Sequence, residues 1–79
     1  MTTLKELDNK LAFIQMRLND LRAQRGRLEE KLKQKGLKPA VRKSLESGLA
    51  ALGNRIKSVE REEWDADDER YDLLYYRRR

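Results

Sequence analysis

A run of carboxylates near the end of the chain is the densest group of side chains that could do chemistry. Paired carboxylates can act as general acid and base, or they can hold a hard cation such as calcium. If the run is helical, neighbouring residues point about 100° apart, so the carboxylates define no pocket. We therefore predict an exposed acidic face. The residues are Glu62, Glu63, Asp65, Asp67, Asp68 and Glu69.

The 79-residue chain contains neither cysteine nor histidine. This composition excludes disulfides, metal sites built from thiolate or imidazole, and pairs of a nucleophile with an imidazole. No cluster of Asp and Glu follows the calcium-loop pattern. We predict that the protein is not an enzyme and that it has no catalytic residue, cofactor, metal or small-molecule substrate.

Hydropathy indicates the expected location of the protein. The sequence has no run of 18 or more apolar residues, so we expect no membrane span. The first residues lack the apolar stretch of a signal peptide. A cytoplasmic protein without a membrane role is the expectation.

A periodic pattern of aliphatic residues predicts the element that carries the first half of the chain. Spacings of three and four place apolar side chains along one seam of a helix, and another helix must cover that seam. Arg25 stands where one apolar residue is due. The aliphatic positions are Leu4, Leu7, Leu11, Ile14, Leu18, Leu21, Leu28 and Leu32.

A turn and a second repeat complete the pattern. Thr3 followed by Glu6 fits a capping box at a helix N-terminus, in which the threonine oxygen accepts a backbone N–H of the first turn and Glu6 reaches back. Gly36 can adopt the left-handed conformation of a Schellman stop, and Pro39 suits a first helical turn. We predict helix 1 over about 3–35, a turn over 36–39 and helix 2 over about 40–76. The second seam comprises Leu45, Leu49, Leu52, Ile56, Val59, Ala66 and Leu73.

The short connection makes the two helices antiparallel neighbours. Folding at residues 37 and 38 places Leu18 opposite Ile56 and Leu7 opposite Ala66. The predicted fold is a single all-α domain over 1–79, an antiparallel coiled-coil-like hairpin. Because one hairpin buries little apolar surface, we expect a homodimeric four-helix bundle.

Several residues on the two seams leave alternatives open. Gly48 and Gly53 either weaken helix 2 or permit close approach of a neighbouring helix. Arg25, Glu63 and Arg70 either extend their charged ends into water or set the register of the pairing. Arg70 is predicted to lie near Glu6 and Asp8.

Apolar and aromatic side chains outside the seams form a candidate interface. Such a surface is typical of contact with a partner or with a second copy of the chain. Trp64, Tyr71 and Tyr75 share one sector of helix 2, and the register puts Phe13 at the height of Trp64. The predicted interface residues are Phe13, Met16, Trp64, Tyr71 and Tyr75.

Charge is segregated along the chain. Residues 17 to 57 carry twelve Lys or Arg against four Asp or Glu, whereas residues 60 to 72 carry eight acidic against two basic residues. The basic flank near the turn either is simply solvated or binds nucleic-acid phosphates. Its candidate contacts are Arg17, Arg27, Lys31, Lys35, Lys38, Arg42 and Lys43.

These observations predict an interaction protein of the adaptor, assembly-factor or inhibitor type. It self-associates and binds a protein partner through its open end, the end of the hairpin away from the turn, which carries the aromatic and acidic residues. The alternative is sequence-independent binding of duplex RNA or DNA by a dimeric bundle through the basic flank.

Overall fold

The structure, a computed structural model, describes residues 2–76. These residues form two α-helices, α1 (Leu4–Leu32) and α2 (Pro39–Tyr75), and no strand. The helices pack side by side into a rod with Cα extents of 63 × 16 × 15 Å. The start of α1 lies beside the end of α2, so the pairing is antiparallel. The predicted all-α helical hairpin is confirmed.

Local capping explains where α1 begins. Thr3 has extended backbone angles, and its side-chain oxygen accepts a hydrogen bond of 3.1 Å from the backbone N–H of Glu6. This bond satisfies one of the backbone donors that the first helical turn leaves without an intrahelical partner. The Thr3 half of the predicted capping box is therefore present, whereas among residues 2–76 the Glu6 side chain makes no return hydrogen bond to Thr3.

The end of α1 differs from the prediction. The helix stops at Leu32 instead of near residue 35, because its last turn tightens. The N–H of Lys33 is shared between the carbonyls of Glu29 and Glu30, and Gln34 bonds three residues back to Lys31. Such short bonds are common at helix ends, where carbonyls lack partners.

Gly36 consequently lies within the connection between the helices and not at the end of α1. Its φ of +81° is the left-handed conformation that the sequence predicts. However, three residues separate Gly36 from Leu32, the last residue of α1. The prediction of a Schellman stop at Gly36 was therefore wrong. Lys38 is extended, and Pro39 opens α2 as its first residue.

The core occupies the half of the rod near its open end. Six of the seven buried side chains pack there into one cluster between the helices, and the seventh, Leu52, is buried nearer the turn. Leu11, Leu21 and Leu73 pack partly buried against this core. The buried residues are Leu7, Ile14, Leu18, Leu52, Ile56, Val59 and Ala66.

The half near the turn is less well covered. No residue between positions 19 and 51 is fully buried. The seam residues Leu28, Leu32, Leu45 and Leu49 are only half-buried. Since stabilisation scales roughly with the apolar area removed from water, this half contributes less to the stability of the hairpin.

The two α2 glycines have different surroundings. A Cβ on Gly48 would lie 3.4 Å from Cδ1 of Leu28, an ordinary van der Waals contact. A Cβ on Gly53 would meet no atom within 4 Å. Close packing within the hairpin therefore does not require a glycine at position 53.

Candidate protein-interaction surface

Three aromatic residues of α2 lie on one side of the helix near its C-terminus. Trp64, Tyr71 and Tyr75 are separated by seven and four residues, spacings that bring side chains onto one helix face. The ring centroids of Tyr71 and Tyr75 are 4.6 Å apart, in a tilted arrangement. We call these three residues the aromatic face.

The aromatic face is open to solvent. Trp64 is 62% exposed, and Tyr71 and Tyr75 are 53% and 65% exposed. Large aromatic side chains contribute much of the energy of protein interfaces, because each can bury a large area. Side chains this exposed on a rigid helix can contact a partner without rearrangement of the hairpin core.

Tyr76 joins this surface, although the sequence patterning did not select it. Its ring centroid lies 5.8 Å from that of Tyr71, and the residue is 60% exposed. The helical wheel places it on another side of α2. It reaches Tyr71 because it is the C-cap residue, with a backbone that has left the ideal helical angles (φ −114°).

Two ion pairs between the helices define opposite sides of the hairpin. Arg17 contacts Glu62 at 3.3 Å, and Arg22 contacts Glu60 at 3.5 Å. Arg17 and Arg22 are separated by about 140° around α1, and Glu60 and Glu62 by about 160° around α2. The Arg17–Glu62 ion pair therefore connects the helices on one side of the seam, and the Arg22–Glu60 ion pair connects them on the other side.

This geometry separates the predicted interface residues into two groups. Phe13 lies one turn before Arg17, whereas Trp64 lies one turn after Glu60. The two aromatic residues therefore flank opposite sides of the rod. Met16 lies beside Phe13 on α1, and both are exposed, at 66% and 63%. Phe13 and Met16 do not extend the aromatic face.

The carboxylates of residues 60 to 72 differ in their contacts and in their exposure to solvent. Glu60 and Glu62 bind arginines of α1, and Glu63 is a half-buried seam residue. Asp65 and Asp67 are exposed. Within residues 2–76, no group of three or more acidic side chains is placed to hold a metal ion.

The polar seam residues pair at the surface. Arg70 donates to Asp8 at 2.8 Å, as the register predicts, and its side chain is 42% exposed. Arg25 contacts Glu29 at 3.7 Å and is 44% exposed. Both arginines thus keep their charged ends in water.

The basic flank is mostly free of ion pairs. Arg17 is the exception, since it binds Glu62. The other six candidates are exposed, and none takes part in an ion pair within the described part of the chain. They are Arg27, Lys31, Lys35, Lys38, Arg42 and Lys43. Arg77, Arg78 and Arg79 lie outside the described residues.

Comparison of the chain with protein-family models, with curated proteins and with solved structures finds no match. Neither helix, over residues 2–76, has an apolar stretch long enough to cross a membrane.

Proposed function

We propose that this protein is a non-enzymatic helical hairpin that self-associates and contacts a protein partner through its aromatic face. The observation that carries the proposal is the exposure of Trp64, Tyr71 and Tyr75, each more than half open to solvent on one side of one helix. Exposed apolar patches on small proteins commonly mark sites of association.

Limited burial supports the self-association part of the proposal. The core comprises seven small-to-medium aliphatic side chains, and the seam near the turn is only half-buried. Below about 80 residues a single core rarely supplies more than 3–5 kcal/mol of stability. Association of two hairpins would bury further apolar surface and stabilise both of them.

Sedimentation equilibrium of the purified chain, combined with capture from nuclease-treated lysate, tests this proposal. The variant Trp64→Ala with Tyr71→Ala removes two rings of the aromatic face. Phe13→Ala is the matched control, because it removes an exposed ring from the opposite side. We expect the double variant to lose self-association and nuclease-resistant capture, and the control to retain both.

Two results would overturn the proposal. One is a wild-type chain that is helical and monomeric up to hundreds of micromolar and captures no protein after nuclease treatment. The other is a Trp64→Ala, Tyr71→Ala variant that associates and captures as the wild type does. Circular dichroism of each variant shows whether the hairpin remains folded.

A second candidate function is sequence-independent binding of duplex nucleic acid by a dimer through the basic flank. The observation that favours it is that six basic residues around the turn are exposed and outside the ion pairs of the described chain. Backbone phosphates bind such residues, and the affinity falls steeply as salt rises.

Gel-shift titration with RNA and DNA duplexes at two salt concentrations distinguishes this candidate. We expect binding that weakens with salt and is lost in the variant Arg27→Glu with Lys31→Glu. Asp20→Asn is a control that removes a negative charge without removing a basic contact. Absence of a shift at low salt would rule the candidate out.

A further inference from the structure

A second seam runs along α2. Each of its positions is one residue C-terminal to a position of the seam that faces α1. Its positions follow the same spacing of four and three, which keeps them on one face of the helix. Six of its eight residues are exposed, and Gly53 and Glu60 are half-buried. We name this the outer seam. It comprises Glu46, Ala50, Gly53, Lys57, Glu60, Trp64, Asp67 and Tyr71.

We propose that the outer seam is the surface on which a second copy of this chain docks, antiparallel, with Trp64 of one copy seated against Gly53 of the other. The inference rests on the proposed self-association and names its surface and orientation. An antiparallel pair of identical helices is two-fold symmetric, so one contact determines all the others.

The other contacts of this pairing are self-consistent. With Trp64 opposite Gly53, Lys57 lies opposite Glu60, Ala50 opposite Asp67, and Glu46 opposite Tyr71. If Glu46 is assigned to heptad position d, every layer joins an a position of one copy to a d position of the other, which is the layer pattern of antiparallel coiled coils. The largest side chain of the outer seam thus meets its smallest residue.

Open space at Gly53 supports this contact. A Cβ at this position would touch nothing within 4 Å, so the hairpin itself has no need of glycine there. Glycine inside a helix lowers helix stability relative to alanine. A depression lined by Lys57, Glu60, Arg61 and Trp64 lies farther along the same side. The missing side chain leaves room for an indole from the other copy.

Charge complementarity selects the antiparallel orientation. Residues 60 to 72 carry eight acidic and two basic residues, whereas residues 39 to 59 carry four basic residues and one acidic residue. A parallel pair would place the acidic halves together. Like charges in contact disfavour that orientation, and opposite charges favour the antiparallel one.

The hairpin also holds one of the charged groups in position. Arg22 contacts Glu60 at 3.5 Å, and this contact keeps the carboxylate on the side of α2 that carries Trp64. Lys57 of a second copy would approach the same carboxylate. Glu60 would then lie between two cations, one from its own hairpin and one from the other copy.

Substitution of the glycine tests the surface. Gly53→Gln adds a neutral side chain with good helix propensity into open space, so the hairpin should keep its helicity and thermal stability. Gly26→Gln is the matched control, since a Cβ at Gly26 also meets nothing within 4 Å. We expect Gly53→Gln to raise the dimer dissociation constant at least tenfold, and Gly26→Gln to leave it unchanged.

Cross-linking tests the orientation, because the chain has no cysteine of its own. In the proposed pair, Ala50 of one copy faces Asp67 of the other, while like positions are about 25 Å apart along the axis. We expect oxidation to link a mixture of Ala50→Cys and Asp67→Cys chains. Neither variant should cross-link when oxidised alone.

Each contrary result has a definite meaning. Dimers of Gly53→Gln as tight as the wild type would overturn the proposed surface. Cross-linking of either cysteine variant alone, or none in the mixture, would overturn the orientation. A wild-type chain that stays monomeric would refute self-association itself. Circular dichroism verifies that each variant is folded.

Discussion

Nε of Arg70 donates a 2.8 Å hydrogen bond to Oδ1 of Asp8, which connects the end of α2 to the second turn of α1. Arg70 occupies a seam position where an aliphatic residue would fit the repeat. Its charged end nevertheless finds a carboxylate at the rim of the core. The contact is the shortest of the ion pairs between the helices in the described chain.

The Arg70–Asp8 pair should contribute modestly to stability. Both side chains are about half exposed, and ion pairs of this kind contribute about 0.2–1 kcal/mol. A double-mutant cycle with Asp8→Ala and Arg70→Ala, followed by urea unfolding, should give a coupling energy in that range. The coupling should shrink in 1 M salt. A coupling near zero at low salt would contradict the prediction.

Core substitutions should cost more near the open end than near the turn. Leu18 is 1% exposed, whereas Leu28 is only half-buried. We expect Leu18→Ala to lower the free energy of unfolding by about 2–4 kcal/mol, and Leu28→Ala by less than half as much. Chemical denaturation at matched protein concentration measures both. Equal losses would show that the core extends into the turn half.

Hydrogen exchange should report the same asymmetry without mutation. Amides of residues 19–51 belong to the part of the hairpin without a fully buried side chain. We expect those within helices to exchange faster than amides of residues 7–18 and 52–66, because local opening there exposes less apolar surface. Uniform protection along both helices would contradict this expectation.

Replacing two of the glycines with alanine should change the stability of the hairpin in opposite directions. Gly36 has a φ of +81°, which alanine adopts at a cost of about 1 kcal/mol, so Gly36→Ala should destabilise the hairpin. Gly26 lies inside α1 with open space around its Cβ position, so Gly26→Ala should stabilise by about 0.5–1 kcal/mol. Thermal unfolding of both variants gives the signs.

Trp64 provides an intrinsic probe of association, because it is the only tryptophan in the chain and is 62% exposed in the hairpin. Its fluorescence should shift to shorter wavelength as the protein concentration rises, since docking of a second copy removes water from the indole. Gly53→Gln should abolish the shift, whereas Gly26→Gln should not. An emission maximum independent of concentration would argue against burial of Trp64.

The helices and their antiparallel pairing could be predicted from the sequence, because the responsible interactions are local or periodic. Thr3 caps α1 through a contact three residues away, and a four-and-three repeat positions Leu7, Leu18 and Ile56 along the seam. The end of α1 was less predictable. Tight terminal bonds at Lys33 compete closely with a further helical turn, and small energies decide between them.

The sequence by itself determined the two amphipathic helices, the short reversal between them and the set of aromatic residues left outside the seam. Only the tertiary structure decided how those residues divide between the two sides of the rod. The Arg17–Glu62 and Arg22–Glu60 bridges place Phe13 and Trp64 apart. Periodicity defines each side chain's angle about its own helix, whereas the sides of the hairpin depend on how the second helix packs against the first.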